Sequence, residues 1–216
     1  MSLARRFRLL FKPLHTADRY YANYDFVRSL DLDTLSIYRQ LKDALVGRKR
    51  ILDLGCGMGY ITNYLHATGA DANPKAIAKA KAAYPKTSFR AASITRLAKE
   101  GAKWDAVVCV NVMEHLEDPD RALFFKLIPK LLKKNGRLFV VYDSMYHPLQ
   151  LLSGLLHPGM LLTDPTHVYC WPQRIFRKLL GSAFNIEQDL GGNILSRGLP
   201  WTNHFHTARL YVLKPL

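Results

Sequence analysis

An acid followed by alternating glycines is the most chemically specific pattern in the chain: Ile51-Leu52-Asp53-Leu54-Gly55-Cys56-Gly57-Met58-Gly59. An apolar strand runs into a glycine-rich turn that opens a helix near Tyr60. Glycines suit such a turn because it demands unusual backbone angles and lets a ligand approach the main chain closely. In an open parallel sheet, ligands bind at the carboxyl ends of central strands. A dinucleotide site would show Gly-x-Gly-x-x-Gly with a pyrophosphate on the helix N-terminus. Asp53 would repel a pyrophosphate and suits a cationic ammonium group instead. A second acid, Asp71, follows in Gly69-Ala70-Asp71-Ala72-Asn73-Pro74. It can cap the next helix or serve a ligand. The interval from Gly59 to Asp71 is so short that the first helix and second strand must both be brief.

The elements that must hold these residues alternate regularly. Short apolar runs at Ile51–Leu54, Val107–Val110 and Leu138–Tyr142 read as buried strands. Helix candidates lie between them at Pro74–Tyr84 and Pro119–Lys134, each proline placed where a first turn tolerates it, after an Asn or Asp able to cap. Gly136 reads as the stop of the second helix. A helix from about Pro172 to Gly181 and strand-like stretches near Phe184–Leu190 and Ala208–Leu213 complete the series. The order predicts an α/β fold: a Rossmann-like, doubly wound, mostly parallel seven-stranded sheet with helices on both faces. Residues 18–47 read as amphipathic helix, so 1–47 is expected to form a helical extension packed on a domain spanning 48–216. Residues 145–170 break the alternation with Pro148, Gly154, Pro158, Gly159 and Pro165, as a substrate-side insertion would.

Leu52–Gly59 resembles the first motif of the class I S-adenosylmethionine (SAM)-dependent methyltransferases. That resemblance covers residues 50–143 well and the ends only loosely. It implies that Gly55, Cys56, Gly57 and Gly59 wrap the methionine part of SAM, with Asp53 facing its ammonium directly or through water. Asp71, with Ala72 beside it, would accept bonds from both ribose hydroxyls. Where the family places an acid toward the adenine amino group, this chain has Ser93, a hydroxyl without charge. Asn111-Val112-Met113-Glu114-His115-Leu116 is similar to the fourth motif, whose residues line the methyl end of the donor and the acceptor mouth. Some relatives have Glu-x-x-Glu-His there and bind a divalent metal. Asn111 replaces the first of those acids, which argues against a metal site, so none is expected.

The acceptor is less legible. Asp164-Pro165-Thr166-His167-Val168 resembles a stretch of small-molecule and lipid-directed members, and His167 is a candidate general base or a loop anchor. His115 is a second candidate, or a wall of the pocket. His204 and His206 near Trp201 can approach the same mouth, though nothing in the sequence places them there. Leu149–Leu162, rich in Leu and Met, suits an apolar channel or an ordinary buried connection.

Composition bounds the rest. A hydrophobic fraction of 49% excludes a disordered chain. Cys56, Cys109 and Cys170 form no CxxC pair, which argues against a zinc site or disulfide framework and for a reducing, cytoplasmic setting. The net charge of +14 attracts anionic partners. Part of it sits in residues 1–14, where Leu3, Phe7, Leu10, Phe11 and Leu14 share one helical stripe and Arg5, Arg8 and Lys12 oppose it. That helix can lie on an anionic membrane surface, act as an organellar presequence or pack on the domain. The expected partner is a small or lipid-like acceptor taking a methyl on oxygen. RNA (2′-O) or protein methylation and a silent, SAM-binding scaffold remain as alternatives, and nucleic acid stays open as a partner.

Overall fold

The computed structural model describes Leu32 and residues 36–143, 171–191 and 208–216. Seven strands form one sheet: β1 (Ile51–Leu54), β2 (Thr68–Asp71), β3 (Ser88–Ala91), β4 (Trp104–Val110), β5 (Leu132–Asp143), β6 (Phe184–Gly191) and β7 (Ala208–Pro215). Their spatial order is β3-β2-β1-β4-β5-β7-β6. β1 to β5 run parallel, and β7 lies antiparallel between β5 and β6. The order reverses beside β1, which is the switch point at which open α/β sheets bind ligands.

The helices are α1 (Ser36–Ala44), α2 (Tyr60–Tyr64), α3 (Pro74–Ala83), α4 (Ile94–Glu100), α5 (Asp118–Leu131) and α6 (Gln173–Gly181). On one face, Ile37 and Leu41 of α1 pack against Ala106, Val108, Phe139, Val141, Leu210 and Val212. The alternate residues of the same strands, Val107, Leu138, Val140, Tyr142, Tyr211 and Leu213, face the other way against α4, α5 and α6. Covering both faces explains why the central strands are apolar without polar alternation. Among the described residues no helix is long and apolar enough to cross a membrane.

Several expectations hold and several need correction. α2 and β2 are brief, as the short interval demands. Asn73 caps α3 through its side chain, accepting from Lys75 and Ala76 N–H. At the start of α5, Glu117 rather than Asp118 is the cap residue, and no side chain caps the turn. The helix α4 after Ser93 has no counterpart among the elements expected from sequence. α5 stops at Leu131, not Lys134, where Leu132 turns to extended backbone (φ −88°, ψ 143°) and pairs with Trp104 of β4. Gly136 is consequently not a helix stop. It lies inside β5, where the register slips between Trp104↔Leu132 and Ala106↔Arg137. A Cβ there would meet the Trp104 carbonyl oxygen at 2.9 Å, so glycine permits a close approach of two backbones. Residues 1–14, Leu149–Leu162 and Cys170 lie outside the described residues, as does most of 18–47.

Candidate active site

The turn after β1 is built by backbone hydrogen bonds to its neighbour strand. Gly55 and Cys56 both donate N–H to the Ala70 carbonyl on β2, at 2.8 and 3.1 Å. Gly55, Gly57 and Gly59 take φ of 80°, 51° and 83°, the left-handed region that costs glycine least. Two of them also lack space. A Cβ on Gly59 would lie 2.4 Å from the Phe89 ring, and one on Gly55 would lie 2.7 Å from Val112 Cγ2. Val112 therefore sits directly over the turn, which joins the fourth-strand segment to the first.

The two acids differ in setting. Asp53 is 2% exposed. Its Oδ2 accepts a 2.6 Å hydrogen bond from the Thr62 hydroxyl of α2. Burial pushes its carboxyl up to about 7, with Asp71 adding repulsion and Thr62 opposing the shift. Asp71 stands at the rim. Its Oδ2 accepts from Gly57 N–H at 2.9 Å and its Oδ1 from Asn73 N–H at 2.8 Å. Each oxygen keeps a further lone pair. Asp71 is thereby oriented by the turn it faces and can still accept from two neighbouring hydroxyls. Ala72 is exposed beside it.

Ser93 comes two residues after Ala91, the register partner of Asp71. It caps α4, accepting from Arg96 N–H at 3.3 Å. One acceptor position is thus engaged, and the hydroxyl proton can still be donated outward. Asn111 follows β4 with φ of 51° and donates its N–H to the Val141 carbonyl at 3.0 Å. Met113–His115 form a 3₁₀ turn in which Met113 and Glu114 are buried and His115 is half-buried. Among the described residues no group of three or more His, Cys, Asp or Glu is placed to hold a metal. Cys56 and Cys109 are buried free thiols, both pushed upward by burial and by the nearby Asp53, so neither is a ready nucleophile. His167, His204 and His206 fall outside the described residues.

Thr62, Phe89 and Tyr142 are not singled out by sequence and all matter here. Thr62 is a fully buried polar residue in α2, whose short length places it beneath the turn. Phe89 fills the space that Gly59 and Gly69 leave open. The Tyr142 hydroxyl accepts from Trp171 N–H at 2.6 Å and donates to its carbonyl at 2.8 Å. The Arg121 guanidinium lies 4.9 Å from the Trp171 ring centroid and donates to the Leu116 carbonyl. β5 and the start of α6 are therefore fastened together on the same edge as the glycine turn.

The assembled edge offers a cradle of glycines, a buried carboxylate beneath it and an oriented carboxylate at its rim. This suits a cationic ligand with a vicinal diol. A family model described as "Methyltransferase domain" matches residues 51–136. A ubiquinone biosynthesis O-methyltransferase of Xylella fastidiosa (strain M23) is 35% identical over 176 residues, covering 74% of this chain and 69% of that protein. A SAM-dependent methyltransferase structure from Clostridium acetobutylicum ATCC 824 superposes with a TM-score of 0.64 at 15% identity, over 92% of this chain and 98% of that one. Magnesium protoporphyrin IX methyltransferase from Synechocystis PCC 6803, solved with bound S-adenosylhomocysteine (SAH), gives 0.56 at 20% identity, over 82% and 81%. The fold is that of the class I methyltransferases. The chain belongs to the methyltransferase-domain family and is a SAM-dependent methyltransferase.

Proposed function

We propose that this enzyme transfers the methyl group of SAM to a hydroxyl oxygen of a small, lipid-like acceptor. The observation that carries the acceptor class is the similarity to a protein named as a ubiquinone biosynthesis O-methyltransferase, which extends well beyond the donor motif. SAM supplies a methyl on a sulfonium, which leaves as a neutral thioether. The protein's task is mainly alignment of acceptor and methyl, because positioning alone removes much of the barrier.

The described residues divide that task. Gly55, Cys56, Gly57 and Gly59 form the bed of the methionine moiety, and Asp53 supplies the negative charge under its ammonium. Asp71 holds the ribose, Ala72 and Ser93 border the adenine side, and Asn111 with Val112 close the methyl end. His115 serves as a wall of the mouth, while His167 takes the acceptor proton. β5 ends at Asp143 and the chain is back at Trp171 on the site edge, which supports 145–170 as the substrate-side insertion. The basic, amphipathic sequence of residues 1–14 supports the further proposal that the enzyme meets a lipid-like acceptor at the cytoplasmic side of an anionic membrane.

The test supplies methyl-labelled SAM and purified enzyme to a host extract that is then separated into organic, RNA, protein and small-molecule fractions. Label in the organic phase is expected. Label confined to RNA or protein would overturn the acceptor class.

A further inference from the structure

The sheet edge opposite the glycine turn carries its own organised charge. Arg48, Lys49 and Arg50 lead into β1, and Lys103 leads into β4. Lys133, Lys134 and Arg137 enter β5 across the register slip, and Lys214 leaves the antiparallel β7 at the same end. These residues form one surface. Lys103 Nζ donates to the Lys130 carbonyl at 2.5 Å, and an Arg48 N–H donates to the Asn135 carbonyl at 3.0 Å. Asp105 accepts from the Lys49 and Arg50 amides and pairs with Lys133 at 2.8 Å. Arg137 pairs with Glu187 at 2.5 Å, and Lys214 and Arg48 lie close enough to hold that carboxyl down as well. Asp105 and Glu187 leave most of the positive charge unbalanced.

The cations follow the order β1-β4-β5-β7, a row about 15 Å long at about 4.8 Å per strand step. Lys133, Lys134, Arg137 and Lys214 stand within strands, and Asp105 ties the Lys49 and Arg50 backbone to the start of β4, so little backbone order is lost when they meet a partner. A line of cations on a narrow edge fits a linear polyanion better than a plane. Among the described residues none of the strongly exposed apolar side chains on this edge is aromatic, so bases have no stacking platform.

We propose that this edge binds the phosphodiester backbone of duplex nucleic acid without reading sequence, at a surface remote from the donor site. The binding is independent of the methyl acceptor. The same edge also exposes Val46 at 80% and Leu216 at 84%, which an anionic bilayer would engage and a phosphodiester would not.

The test measures fluorescence anisotropy of a short labelled DNA duplex of mixed sequence against full-length protein, with NaCl raised from about 50 to 200 mM. The triple variant Lys49→Gln/Lys134→Gln/Lys214→Gln should reduce the log–log salt slope by about 2.7, since each lost phosphate contact removes about 0.9. Lys81→Gln/Lys126→Gln/Arg174→Gln removes equal charge elsewhere and should leave the slope unchanged. An unchanged SAH affinity in both variants shows that both remain folded. Equal slope losses in the two variants would reduce the effect to net charge and overturn the site. So would absence of duplex binding, or binding only to vesicles of phosphatidylglycerol and phosphatidylcholine.

Discussion

Replacing Asp53 by asparagine separates what the buried carboxylate costs the fold from what it gives the ligand. In the unfolded chain this acid ionises near its ordinary value of 3.8, and in the folded protein only near 7. Between those pH values the native state keeps a proton that the unfolded chain has lost, so stability falls as pH rises through the window. A shift of about three units is worth about 4 kcal/mol at its ceiling. The Asp53→Asn variant carries no such penalty, and the new amide oxygen can still accept from Thr62. The leftover buried amide hydrogens cost about 1–2 kcal/mol. We expect the variant's stability relative to wild type to improve by about 3 kcal/mol between about pH 4.5 and about pH 8. For a chain of this size that is a relative gain of about 6–12 °C in Tm. Scanning calorimetry on ligand-free protein at both pH values measures it. At pH 8 the same variant should bind SAM at least tenfold more weakly, having lost the charge under the ammonium. A stability difference that is the same at both pH values would refute the reasoning, because it would mean the buried acid is not held protonated by the fold.

Asp71→Ala removes the acceptor for Gly57 and Asn73 N–H together with the proposed ribose contact. SAH affinity by calorimetry should fall about 10- to 100-fold while circular dichroism keeps the wild-type form. Gly59→Ala forces a side chain into the left-handed region and into the Phe89 ring, and should cost about 2–4 kcal/mol in urea unfolding. Tyr142→Phe leaves Trp171 N–H and C=O without the hydroxyl that serves both, a loss of about 1–3 kcal/mol read in the same assay.

The centre of the sheet is legible in the sequence because β1, β4 and the later part of β5 are buried on both faces and so read as uninterrupted apolar runs. Ile51–Leu54 coincides with its observed ends for that reason. β5 is visible only in its apolar half, from Leu138, because Lys133 and Lys134 read as the end of the second helix and Gly136 as its stop, whereas the segment belongs to an irregular strand beside Trp104. α4 escapes because Ser93 reads for its place relative to a ligand rather than as a helix cap. At the turn after β1, the sequence places Asp53, the glycines and Asp71 together because left-handed backbone and close neighbours leave few residue types able to stand there. Val112 follows from resemblance alone, and its contact over Gly55 is a long-range packing event with no local signal. Thr62 and Tyr142 escape for the same reason, since their partners lie on other elements.

The donor site carries the central claim, and titration of SAH into the purified protein tests it most directly. Saturable binding at one site per chain is predicted, accompanied by a rise in Tm that grows with ligand concentration. Neither heat nor any shift in Tm with SAH or SAM at millimolar concentration would contradict the claim, leaving a methyltransferase fold without its donor.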